Sequence, residues 1–106
     1  MFYASRFMNA LSELAGPISH PQKSEEDLMF DAVRQGKSAG LKPADAALSY
    51  FITQARQGMQ DDPDKWLPIA RQASRRAREW RKQRRIGDQY AETLLELVRE
   101  TGPNEA

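Results

Sequence analysis

Between Pro43 and Gly58 the apolar residues fall at Ala44, Ala47, Leu48, Phe51, Ile52 and Ala55, with spacings of 3, 1, 3, 1 and 3. Only an α-helix gathers such positions onto one face; a strand would scatter them to both sides. Pro43 stands where a helix tolerates proline best, in its first turn, and Gly58 is the expected stop. This stripe is the cleanest in the chain, and the helix that carries it is expected at the centre of the core.

The same period recurs on both sides. Tyr3, Phe7, Leu11 and Leu14 mark a helix over residues 3 to 15, ended by Gly16-Pro17. Ser24-Glu25-Glu26-Asp27 reads as a capping box, opening a helix with Leu28, Met29, Ala32 and Val33 on its buried face and Gly40 at its end. Residues 58 to 66 are expected to form a turn-rich acidic connection in which Asp62-Pro63-Asp64 marks a helix start, which can be that of a short helix, with Pro68 beginning or kinking into a long basic helix. Tyr90, Ala91, Leu94, Leu97 and Val98 mark a last helix, ended by Gly102-Pro103. Strand signals are weak, because β-branched residues are few and no segment alternates with period two. The expected fold is all-α: one small single-domain bundle of about five helices over residues 1 to 102, with a frayed tail over 103 to 106.

The 106 residues hold no cysteine, which excludes disulfides and thiolate metal sites. The apolar residues near the N-terminus are interrupted by Arg6, Asn9, Ser12 and Glu13, so no signal-peptide core forms. No run approaches the roughly 20 apolar residues of a membrane span. A cytoplasmic protein without a membrane segment is expected.

Charge is where this chain departs from the ordinary. Residues 70 to 85, ARQASRRAREWRKQRR, hold eight Lys/Arg and one Glu, although the net charge is only +1. Residues 1 to 67 and 87 to 106 are both net acidic, so the excess is local. Set Arg71 at zero on a helical wheel: Arg75, Arg78, Lys82 and Arg85 fall within roughly 40° of it, and Ile69, Ala73, Ala77 and Trp80 fall near 160° to 240°. A narrow docking edge therefore stands opposite a cationic stripe, with Arg76, Arg81 and Arg84 on the flanks or the docking side, where their stems can cover apolar surface. The like-charge pairs Arg71/Arg75, Arg78/Lys82 and Arg81/Arg85 each cost a few tenths of a kcal/mol. Glu79 is the one local acid, within reach of Arg75 and Arg76.

Three explanations of the stripe compete. It can be a solvated face that pairs loosely with acids elsewhere. The row Asp88, Glu92, Glu96 and Glu100 is the obvious candidate, but it lies opposite the last helix's own apolar face, so a simple hairpin points both rows outward. If Gly87 does not break the helix, basic and acidic halves form one continuous stripe, and two antiparallel copies make a homodimer. Third, guanidinium forks suit phosphate oxygens, and a localised positive patch suits a polyanion.

Other candidates are weaker. Residues 32 to 52 have the outline of a helix-turn-helix, but Ala44, Asp45 and Ala47 stand where a recognition helix offers base-reading side chains. His20 has no ligand set around it. Asp61, Asp62 and Asp64 suit helix initiation better than metal or acid–base chemistry. Trp66 and Trp80 read as core anchors, and Met1, Phe2, Tyr3 and Met8 as an apolar patch at the N-terminus. No catalytic residue, metal ligand or cofactor motif stands out. The first expectation is a non-enzymatic protein that binds DNA or RNA phosphates through Arg71, Arg75, Arg78, Arg81, Lys82, Arg84 and Arg85. The alternative is a protein-interaction module, an adaptor, inhibitor or assembly subunit, using the same helix against an acidic partner or in a homodimer.

Overall fold

The computed structural model describes residues 2–15, 23–84 and 86–101. They form α1 (Phe2–Ala15), α2 (Lys23–Ser38), α3 (Pro43–Asp61), α4 (Pro63–Lys82) and α5 (Asp88–Thr101), with no strand among the described residues. The all-α bundle expected from the periodicity is the fold. The stop at Gly16-Pro17, His20, Arg85, the stop at Gly102-Pro103 and the tail over 103 to 106 lie outside the described residues, as do the side chains of Phe2, Ser24, Glu25, Glu26, Asp88 and Glu100.

Helix α3 touches all four other helices. All six residues of its stripe are buried. Phe7, Leu14, Leu48, Phe51, Trp80 and Leu94 are the largest fully buried side chains, and they come from four helices. At about 1.5–3 kcal/mol for each such side chain, this cluster is the main source of stability. Phe7 meets Tyr50 edge-on at 6.1 Å between ring centroids. α5 docks through Ala91, Leu94 and Leu97, as its spacing implies.

Three expectations need correction. The first concerns α3, which does not stop at Gly58 but runs through it to Asp61. Gly58 is buried, and a Cβ built on it would overlap the indole ring of Trp66. The glycine is there for a close crossing rather than for a stop. The second concerns the acidic connection, which shrinks to one residue, Asp62, between α3 and α4. Its N–H donates to the Gly58 carbonyl (2.7 Å), its carboxylate accepts from the Lys65 N–H (3.4 Å), and Pro63 takes the first position of α4. Pro68 consequently sits inside α4 and starts nothing. It removes one donor to the Asp64 carbonyl, on an exposed part of the helix where water can replace it.

The third correction is on α2. Met29 is buried and Ala32 and Val33 are half-buried, but Leu28 is 52% exposed. α2 packs on α3 and, more lightly, on α1, so it buries a narrower face than its apolar residues suggest. Gly40 carries φ +74 in the turn that leaves α2, a conformation that favours glycine. The Cα radius of gyration, 13.2 Å, is what a compact chain of this length should have. No helix among the described residues is long and apolar enough to cross a membrane.

Candidate functional site

Helix α4 was expected to be two-faced, and it is. Ala73, Ala77 and Trp80 are buried, Ile69 is half-buried, and Ala70 and Ser74 join them. The packed arc thus runs from roughly 160° to 300° relative to Arg71, wider by about 60° than the apolar residues mark out. Ala70 and Ser74 are small enough to lie under α4's neighbours, and a hydroxyl so placed gives no apolar signal in the sequence.

Opposite this arc, Arg75, Arg78 and Lys82 are exposed and Arg71 is half-buried. Arg76 and Arg81 flank them, also exposed. Among the described residues no carboxylate lies within ion-pair distance of Arg75, Arg76 or Arg78. Glu79, expected to serve Arg75 and Arg76, instead reaches forward to Lys82, with Oε1 3.8 Å from Nζ. Both groups of that pair are well exposed, so it contributes little. Arg75, Arg78 and Lys82 therefore face water, and among the described residues Glu79 is the carboxylate beside Lys82. On α5, Glu92 and Glu96 are exposed as well, while Ala91, Leu94 and Leu97 are buried, so the acidic row turns away from the packed face.

The helix ends at Lys82. Arg84 has φ 59 and Gly87 lies between α4 and α5, so a single helix from 68 to 101 does not exist. The continuous basic-to-acidic stripe, on which the antiparallel homodimer depended, is therefore lost. The break is held by tertiary contacts. Ile86 is buried, the Gly87 N–H donates to Oδ1 of Asp45 (2.9 Å), and Lys42 Nζ donates to the Arg84 carbonyl (3.3 Å). Asp45 is itself nearly buried at the start of α3. Arg84, exposed, belongs to this turn and not to the α4 stripe.

The helix-turn-helix outline fails on the same evidence. Ala44, Asp45, Ala46 and Ala47 are all buried, so the residues a recognition helix would offer to base edges are inside the protein. Trp80 is a core anchor, as expected. Trp66 is half-buried, 6.4 Å from Phe51 between centroids, and packs over Gly58. Of the N-terminal patch, Met8 is 40% exposed, whereas Tyr3 is half-buried and its hydroxyl oxygen is buried without a hydrogen-bond partner. Burial, with the nearby Asp45 charge and Tyr90, raises the Tyr3 phenol above its ordinary 10.0.

Among the described residues, concavities lie beside α2 and beside α4. A groove of about 470 Å³ runs between α2 and α3, and Asp31 is the one charged residue among the described residues of its lining. A cleft of about 300 Å³ opens between α4 and α5, lined by Ser74, Arg78, Arg81 and Lys82 from one helix and Ala91 and Leu95 from the other. The cleft was not legible in the sequence, because its walls come from two helices whose relative placement no pattern specifies. Among the described residues no group of three His, Asp or Glu side chains is placed to hold a metal ion. No protein-family model matches this chain, and neither the curated proteins nor the solved structures provide a match.

Proposed function

We propose that the protein acts by binding, without catalysis, and that its ligand is nucleic acid held by its phosphates along α4. One observation carries this reading: Arg75 and Arg78 on the face opposite the packed arc, and Arg76 on its flank, are exposed with no carboxylate partner among the described residues. Lys82 and Arg81 extend the surface by one turn, Arg71 stands at its start, and Arg84 lies beyond its end, in the turn to α5. Such a row tolerates its own repulsion poorly in isolation, and a polyanion would relieve it. The exposed guanidinium groups of Arg75, Arg76 and Arg78 suit bidentate contact to phosphate oxygens. Contacts of this kind position a strand without reading its sequence. Arg85, placed on the stripe by its helical angle in the sequence, follows the end of α4 and lies outside the described residues, so the proposed contact set does not include it. Activity in the cytoplasm is part of the same proposal.

The test is direct. A labelled oligonucleotide should bind at about 50 mM salt and lose affinity steeply as salt rises. Arg75→Glu combined with Arg78→Glu should reduce binding at least about tenfold while the fold persists, since both side chains are solvent-exposed. Failure of DNA and RNA alike to bind, or indifference to the double substitution, would sink the reading. An acidic protein surface would use the same cations. In that case a mass increase in light scattering would come from a protein partner or a second copy and be unaffected by added oligonucleotide.

A further inference from the structure

Phosphate contact alone leaves the α4–α5 cleft unexplained. Its α4 wall is a ridge at helical spacing, Ser74, Arg78 and Arg81 with Lys82 beside them, and its α5 wall is Ala91 and Leu95, one turn apart. Three cations thus stand along an apolar surface formed by the other helix. At about 300 Å³ the cleft is at the lower end of the volumes that ligand sites occupy, which is room for a group of nucleotide size.

The charge selects the occupant. The α2–α3 groove is larger but offers an anion only Asp31, whereas the α4–α5 cleft continues the cationic stripe through Arg78 and Lys82. A duplex keeps its bases paired and stacked, so it can present only phosphate and sugar here, and Ala91 and Leu95 would meet nothing apolar. An unpaired nucleotide supplies both halves of the match. Its phosphate meets the guanidinium of Arg78 and the ammonium of Lys82. Its base lays an apolar face on half-buried Leu95, with Ala91 buried at the cleft wall, and the Ser74 hydroxyl is at hand for a base edge or the sugar. Among the described residues the cleft lining has no aromatic ring, so the base contact is aliphatic and tolerant of base identity.

We infer that the cleft seats one unpaired nucleotide and that the protein therefore binds single-stranded nucleic acid in preference to duplex. This rests on the phosphate-binding reading of α4. It goes further in naming the strandedness of the ligand and the residues that decide it.

Fluorescence anisotropy tests it with three probes: a labelled single strand of about 12 nucleotides, within the range of known single-strand site sizes, the same strand in a duplex, and the same strand with abasic sites throughout its centre. All three are compared at about 50 mM salt. The intact single strand should bind tightest. The abasic strand keeps its phosphates and should lose about fivefold, the scale of one aliphatic contact. Leu95→Ala, which leaves every charge in place, should lower single-strand affinity by a similar factor and leave duplex affinity unchanged. Equal binding of single strand and duplex, or of intact and abasic strands, overturns the cleft assignment while leaving phosphate binding intact. The abasic comparison needs no variant, so it decides the matter even if Leu95→Ala destabilises the fold. Absence of binding to any probe overturns both readings together.

Discussion

Tyr3 sits at a conflict between packing and hydrogen bonding. Its ring joins the core, but its hydroxyl oxygen is buried without a partner, close to the backbone of Gly36. An unpaired buried hydroxyl costs about 1–3 kcal/mol, so Tyr3→Phe should hold or raise stability by about 1 kcal/mol in urea denaturation at neutral pH. The same burial, reinforced by Asp45, raises the phenol above 10.0. A folded-state value above the unfolded one favours the protonated phenol in the native protein. Its contribution is complete below pH 10 and is lost as pH rises through the folded value. The native protein should therefore lose stability more steeply above pH 10 than the Phe variant, a difference that denaturation curves at two alkaline pH values would register. Gly58 presents the opposite case, a missing side chain that packing requires. Gly58→Ala gains up to about 1 kcal/mol of helix propensity. It forces the Trp66 ring away, at a penalty of about 1–3 kcal/mol. A net lowering of the melting temperature is expected.

At the scale of elements, the turn between α4 and α5 decides where the basic helix ends. Sequence alone permits helix through residue 86, since Gln83, Arg84 and Arg85 are adequate helix formers. The chain breaks because Asp45, forty-two residues away, accepts the Gly87 N–H, and because Ile86 is drawn into the core. A hydrogen bond to a carboxylate is worth about 1.5–3 kcal/mol, so Asp45→Ala should lose that much. The Gly87 amide should also exchange faster with solvent, as hydrogen-exchange measurements would show. Asp45→Asn keeps an acceptor oxygen and should lose less. If Gly87 protection is the same in the Ala variant, the latch is not what holds the turn. Helix α2 makes a complementary point. It has enough apolar residues for a wide face, but among the described helices only α1 and α3 pack on it, and Leu28 and Phe30 are exposed.

For the whole molecule, charge separation is the organising feature. Residues 68 to 86 hold eight of the sixteen Lys/Arg side chains, while the rest of the chain is net acidic. A nearly neutral protein with one positive edge should show salt-dependent binding out of proportion to its net charge. If about five cations contact a single strand, log K should fall against log salt with a slope near −3.5. Each Arg→Ala substitution among Arg75, Arg76 and Arg78 should reduce that slope by about one contact. A slope near zero would mean that phosphates are not the target.

The periodic spacing of apolar residues determined the number of helices, the central place of α3 and the two faces of α4. These features depend on which residues share a helix face, and that is a local property of the chain. Pattern could not place Gly58, Asp45 or Leu95. Gly58 carries the same symbol whether it ends a helix or admits an indole ring. Asp45 resembles any acidic residue in a first turn until a distant N–H meets it. Leu95 lines a cleft only because α4 lies beside it. Tertiary structure decided these because each depends on a surface supplied by another helix. The stripe that faces solvent was written in one segment, whereas the cleft beside it required two.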